Sequence, residues 1–283
     1  MKRRRAASGQ SSPLATTLRE PIGVFDSGVG GLTVLREIMR ELPQWDTLYL
    51  ADGAHCPYGA RPAAEVRALS QEIARFLLAR GAACVVVACN TASAAALWHL
   101  RASFPGVPFV GMVPAVKPAV AQTQTGTVGV LATPGTLEGE LLSDVVERFA
   151  GGARVLAQPC PGLVERIEAG ELEGAATEAL LRQYLEPLLE EGADVIVLGC
   201  THYPFVAPLI QRLAGPRVQV VDPSAAIARQ VRRVLGEREP AGHGERAFLS
   251  SGEPEALRRA VEHLLGMEAR VEAVRWREGR LSA

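Results

Sequence analysis

The sequence predicts an α/β protein of two similar domains. Each is a mainly parallel sheet flanked by helices, with an active site in the cleft between them. Three observations carry this expectation. From Pro21 onward, short β-rich runs alternate with amphipathic stretches of helical length, the pattern of βαβ units. Two segments echo each other: Cys84–Thr91 reads CVVVACNT and Val195–His202 reads VIVLGCTH. Their cysteines, Cys89 and Cys200, stand about 110 residues apart, about one domain. Finally, 283 residues at 48% hydrophobic and 22% charged suffice for two cored domains.

The elements follow in order. Residues 1–20 are basic, Ser/Thr-rich and without apolar period, and read as a disordered tail. A twin-arginine signal would need an apolar stretch after the arginines, and none follows. Ile22–Phe25 reads as a strand. Leu32, Leu35, Ile38, Met39 and Leu42 fall at helical spacing, stopped by Pro43. Leu48–Leu50 is a strand, and Val66, Leu69, Ile73, Phe76 and Leu77 mark a helix closed at Gly81. Further strands are expected at Cys84–Val87, Val107–Val110, Val128–Leu131, Val155–Ala157, Val195–Leu198 and Val218–Val221. Cys84–Val87 and Val195–Leu198 are the most apolar, as central strands covered on both faces must be. Gly236–Glu245 reads as a polar loop. Phe248–Trp276 supplies strand, helix (Pro254–Leu265) and strand.

Composition excludes several functions. A formal charge of −1 gives no electrostatic reason to expect nucleic acid. No apolar run is long enough to span a bilayer. Five dispersed cysteines without a secretory segment suggest a reduced, cytoplasmic protein. Lys2 and Lys117 are the only lysines, so Schiff-base chemistry has little to work with. No Gly-Lys-Ser/Thr phosphate loop is present.

What remains is thiol chemistry. Cys89 and Cys200 each follow an apolar strand and carry polar neighbours, Asn90-Thr91 and Thr201-His202. A core has no reason to repeat that frame. A helix following each would lower the thiol pKa through its positive N-terminus. Two thiols facing one site suit removal of a carbon-bound proton and its return on the opposite face, where a single base would restore the original configuration. Cys56, Cys84 and Cys160 read as ordinary residues. The Ile22–Gly31 turn (IGVFDSGVGG) presents backbone N–H groups for an anion and ends its strand on Asp26. It departs from the dinucleotide fingerprint at Thr33. In Asp52–Arg61 (DGAHCPYGAR), His55 and Cys56 match no zinc spacing, nor do Cys84, Cys89, Cys200 and His202. His202, beside Cys200, can tune the thiol or orient a carboxylate. A competing reading makes Cys200 and His202 a hydrolase nucleophile and base. So near each other in the sequence, on an extended segment, the two would make poor triad geometry.

These motifs resemble the cofactor-independent aspartate/glutamate racemase family, and within it the glutamate racemases. The resembling residues are Val24–Gly31, Pro57-Tyr58-Gly59, Ala88–Ser93 and Gly199–Pro204, with Val128–Thr136 and Cys160–Gly170 in support. His202 sides with the glutamate rather than the aspartate enzymes. The resemblance implies that Cys89 and Cys200 are the catalytic thiols, Cys200 serving L-glutamate and Cys89 D-glutamate, with Asp26 and His202 assisting. It implies that Asp26, Ser27, Tyr58, Gly59, Asn90, Thr91, Thr201 and His202 hold the substrate. A family glutamate would match Glu168 or, one slip away, Glu165. The resemblance also implies a first domain of residues 21–113 plus 222–283, a second of 114–221, and no cofactor or metal. The partners implied are glutamate and a second copy in a homodimer, with no nucleic acid and no membrane. The host would be bacterial, with D-glutamate feeding peptidoglycan synthesis.

Overall fold

The computed structural model describes residues 18–282. Most of the expected tail lies outside that range. The described end of it is attached: Leu18 packs on the core and the Arg19 N–H donates to Asp46 Oδ2 at 2.9 Å.

The chain opens with β1 (Ile22–Asp26), α1 (Leu32–Glu41), β2 (Thr47–Ala51), α2 (Ala63–Leu78) and β3 (Cys84–Val87). It continues through α3 (Asn90–Ser103), β4 (Phe109–Gly111), α4 (Val116–Gln122), β5 (Thr127–Ala132) and α5 (Pro134–Leu137). Then come α6 (Glu140–Phe149), β6 (Arg154–Pro159), α7 (Leu163–Glu168), α8 (Ala175–Glu190) and β7 (Val195–Gly199). The last elements are α9 (Ala207–Ala214), β8 (Gln219–Val221), α10 (Ser224–Leu235), β9 (Arg246–Ser250), α11 (Pro254–Leu265) and β10 (Val271–Ala273). An antiparallel hairpin, β11 (Arg275–Arg277) with β12 (Arg280–Ser282), closes the described chain.

The strands form two parallel sheets, ordered β10-β9-β2-β1-β3-β4 and β6-β5-β7-β8. Parallel strands need both faces covered, and their sequences comply. In β3, Val85 and Val87 enter the core on one face, and Cys84 and Val86 the core on the other. In β7, Ile196 and Leu198 face one core, Val195 and Val197 the opposite one. All nine residues of these two strands are buried. By contrast β6, an edge strand, is largely exposed. Each fully buried large apolar side chain stabilises the fold by about 1.5–3 kcal/mol.

Topology places the site. β1 pairs with β2 on one side and β3 on the other; β5 pairs in the same way with β6 and β7. The connections therefore diverge to opposite sides beyond the carboxyl ends of β1/β3 and of β5/β7, where open α/β sheets leave a crevice. Asp26 ends β1 and Cys89 lies just past β3; Thr133 lies just past β5 and Cys200 just past β7.

The Gly236–Glu245 loop is pinned rather than loose. The backbone N–H groups of His243, Gly244 and Glu245 all donate to Asp46 Oδ1, at 3.0, 3.0 and 2.8 Å. Nor does the last strand stand alone. Trp276 Nε1–H in the unforeseen hairpin donates to Asp52 Oδ1 at 2.7 Å.

Candidate active site

Cys89 caps α3: its sulfur accepts the Ala92 N–H at 3.4 Å, and its S–H donates to Ser27 Oγ at 3.9 Å. Cys200 differs from the expectation. It is followed by a turn and one 3-10 turn at Tyr203–Val206, and α9 begins only at Ala207. The helix start expected beside both thiols is beside Cys89 alone. Even there it does not decide the charge. Burial pushes the Cys89 thiol up, and the nearby Asp26 charge pushes it further. A helix terminus contributes about 0.3–1 kcal/mol, less than the several pKa units that full burial commands.

Asp26 is fully buried, which raises its carboxyl against the opposing pull of His202. Its Oδ2 accepts the Gly28 N–H at 3.0 Å, and its Oδ1 accepts the Thr201 hydroxyl at 3.2 Å. The second contact joins the two sheets' strand ends. The glycine-rich turn does bind carboxylates through its N–H groups, but they are the protein's own. The Val29 N–H donates to Glu168 Oε1 at 3.0 Å. Gly30 is needed for proximity, since any Cβ there would strike Thr201 and His202.

Residues 200–202 form a turn and not the extended segment on which Cys200 and His202 were expected to make poor geometry. Cys200 Sγ and His202 Nδ1 lie 3.7 Å apart, and His202 Nε2–H donates to Glu168 Oε1 at 2.6 Å. Burial alone would lower the His202 pKa. Hydrogen bonds to Cys200 and Glu168, with the charges behind them, overcome this and hold it well above its usual value. Burial raises the Glu168 carboxyl, yet its bonds to His202 outweigh that and leave it low. The partner is thus Glu168 and not Glu165.

The remaining expected residues fall around this line. Asn90 is buried, and neither its side-chain oxygen nor its nitrogen has a hydrogen-bond partner among the described residues. A stranded buried amide costs about 1–3 kcal/mol unless a ligand satisfies it. Thr91 joins Thr133 and Thr136 in a triangle of hydroxyls, 2.9–3.3 Å apart, spanning the two sheets' loops. The Gly59 carbonyl accepts the Gly135 N–H across the same boundary at 3.0 Å. The Tyr58 hydroxyl, expected at the substrate, instead donates to Asp52 Oδ2 at 2.6 Å. Cys84 and Cys160 are core residues, their thiols pushed up to about 12 by burial.

Sequence reasoning missed Thr133, Thr136 and the placement of Cys56. A signal existed for Thr133, which follows β5 as Ser27 follows β1. None existed for Cys56, whose S–H donates to Glu168 Oε1 at 3.7 Å across 112 positions of sequence.

Two parallel sheets that bring one cysteine each, a histidine and two carboxylates to a shared boundary define the class: a two-domain α/β isomerase of the amino-acid racemase type. A model of the Asp/Glu/Hydantoin racemase family matches residues 22–231. A glutamate racemase of Roseiflexus sp. (strain RS-1) is 58% identical over 218 residues, which cover 77% of this chain and 80% of the relative. The crystal structure of Escherichia coli glutamate racemase, in complex with L-glutamate and the activator UDP-MurNAc-ala, superposes with a TM-score of 0.80. It is 33% identical, and the match covers 91% of this chain and 98% of that one. The Francisella tularensis glutamate racemase in complex with D-glutamate gives a TM-score of 0.78 at 29% identity, covering 89% and 97%. The chain belongs to the Asp/Glu/Hydantoin racemase family.

Proposed function

We propose that this protein interconverts L- and D-glutamate by moving the α-proton between Cys89 and Cys200. The observation that carries the reading is the equivalent placement of the two thiols. Each follows the inner strand beside its sheet's switch point, and each has its own polar escort. Cys89 has Ser27 and Asp26 behind it; Cys200 has His202 and Glu168. In one direction Cys200 takes the proton from the L-enantiomer while Cys89 delivers one to the other face; the roles reverse for D-glutamate. His202 Nδ1 gives or takes a proton at the Cys200 sulfur, and Glu168 holds the ring's other nitrogen. Asp26 and Ser27 serve the Cys89 side.

The partnerless amide of Asn90 and the hydroxyls of Thr91 and Thr201 suit the substrate's carboxylates. Gly59 and the ring of Tyr58 wall the same region, with Asp26, Ser27 and His202 facing the ammonium. The substrate assignment is supported by relatives that carry the glutamate racemase name and by the L- and D-glutamate complexes of two structural neighbours. The same proposal includes a domain division of 21–113 plus 222–283 against 114–221, a homodimer, and D-glutamate supplied to the cell wall.

Each enantiomer incubated in D₂O should lose its optical signal as α-deuterium enters. The reading fails if Cys89→Ser and Cys200→Ser both keep full racemisation. Running D-aspartate beside D-glutamate separates the aspartate-racemising alternative. The line from Cys200 through His202 to Glu168 also favours a second reading, a cysteine-nucleophile hydrolase. That reading requires a covalent acyl-enzyme visible by mass spectrometry and leaves Cys89 without a task.

A further inference from the structure

Three potential metal ligands converge at the edge of the catalytic line: Cys56 Sγ, a carboxylate oxygen of Glu168 and a ring nitrogen of His202 all lie within 4.8 Å of one another. They come from three separate loops and helix ends, more than 30 residues apart in the chain. We propose that Cys56, Glu168 and His202 form an inhibitory binding site for a borderline-soft divalent cation of the zinc class.

The donor set is the argument. One thiolate, one imidazole and one carboxylate are the ligand types zinc selects, in bonds of about 2.0–2.3 Å. A tetrahedral ion at such distances separates its ligands by about 3.3–3.7 Å. Cys56 Sγ and Glu168 Oε1 already stand 3.7 Å apart. The His202–Glu168 contact, at 2.6 Å, has to open by under about 1 Å. The imidazole is already oriented from behind, its Nδ1 lying 3.7 Å from Cys200 Sγ. A contact to the non-ligating nitrogen is what fixes a metal-binding histidine. Gly28 makes the meeting of sulfur and carboxylate possible, because a Cβ there would strike both. Two of the three ligands are solvent-accessible: Cys56 is half-buried and the Glu168 side chain is 27% exposed, while His202 is buried beside Glu168.

The binding step balances without a redox partner. The cation enters as an aqua ion. The S–H proton of Cys56 and the Nε2 proton of His202 leave to solvent. Glu168 contributes its carboxylate, and water completes the fourth position. The His202–Glu168 hydrogen bond is lost in the exchange, so the imidazole no longer serves Cys200. Binding stands on the donor set alone; inhibition rests on the two-thiol reading above.

The test uses the whole protein and two readouts. Cobalt(II) titration should produce the near-ultraviolet thiolate-to-metal absorption of a cysteine-bound ion. Zinc should abolish that absorption competitively and inhibit racemisation. Cys56→Ser and Cys56→Ala should keep basal racemisation within about twofold. Both should lose the cobalt–thiolate band and raise the zinc concentration for half-inhibition at least about tenfold. Far-ultraviolet circular dichroism of both variants checks that they are folded. The proposal is overturned if the wild type shows no cobalt–thiolate band. It is equally overturned if the band and the zinc sensitivity persist in folded Cys56 variants, which would place the ion on Cys89 or Cys200. A cobalt band that depends on Cys56 in a protein that racemises nothing would instead overturn the functional reading and keep the site.

Discussion

At the level of single residues, the two thiols are alike in position and unlike in surroundings. Cys89 sits against a hydroxyl and a buried carboxyl, Cys200 against an imidazole held by Glu168. This asymmetry predicts unequal sensitivity. Glu168→Gln keeps a hydrogen-bond acceptor but removes the charge that sustains the His202 imidazolium. We expect kcat to fall by about 10²-fold, within the range of general acid–base contributions, with KM for glutamate changed little. Steady-state kinetics in both directions checks this; a loss confined to KM would make Glu168 a binding residue instead. Asn90→Ala should do the reverse. It removes an amide that finds no partner among the described residues, so the fold tolerates the change while KM rises about tenfold or more. Glu165→Gln, at the position one slip away, should leave both constants near those of the wild type.

At the level of elements, the strands and most helices were legible because hydrophobic period alone specifies them. The Pro254–Leu265 helix appears with the bounds its sequence predicts, and Cys84–Val87 is the buried strand its four apolar residues require. What period could not show were contacts between distant segments. The β11–β12 hairpin is a pair of three-residue strands of mixed polarity, held by the reach of Trp276 to Asp52. The polar Gly236–Glu245 loop owes its order to Asp46, a residue almost 200 positions earlier. Asp46 also sets an acid limit on stability. Burial raises its carboxyl, but four backbone N–H donors outweigh this and hold it below the usual carboxylate value. A folded-state pKa below the unfolded one means stability present above the unfolded pKa and lost as pH falls through the folded pKa. Asp46→Ala should therefore cost about 1–3 kcal/mol near neutrality. It should also flatten the decline in stability below about pH 4. Urea unfolding from pH 3 to 7 reads both effects; an unchanged acid limb would assign the decline to other carboxylates.

At the level of the whole molecule, the duplicated frame that marks the sequence becomes two sheets with matching switch points. The site forms where their strand ends meet. Its parts were legible to different depths. Cys89, Cys200, Asp26 and His202 stand in motifs adjacent to strands, so strand order alone suggests where they lie. Glu168 closes the line from 34 residues before His202, on a short helix whose register the sequence left open between two glutamates. The three-threonine triangle and the Gly59–Gly135 bond cross between the sheets' loops, which no local pattern encodes. As a homodimer the protein should give twice the 30.1 kDa chain mass by multi-angle light scattering; a monomeric mass at assay concentration would contradict the homodimer. The central claim is that the two thiols work on opposite faces of one α-carbon. The most direct measurement follows α-deuterium incorporation by proton NMR in D₂O for Cys89→Ser and Cys200→Ser, each supplied with pure L- or D-glutamate. Both variants should lose racemisation by at least about 10²-fold. Cys89→Ser should still exchange the α-proton of L-glutamate and Cys200→Ser that of D-glutamate. Racemisation at the wild-type rate in either variant, or the same enantiomer preference in both, would contradict it.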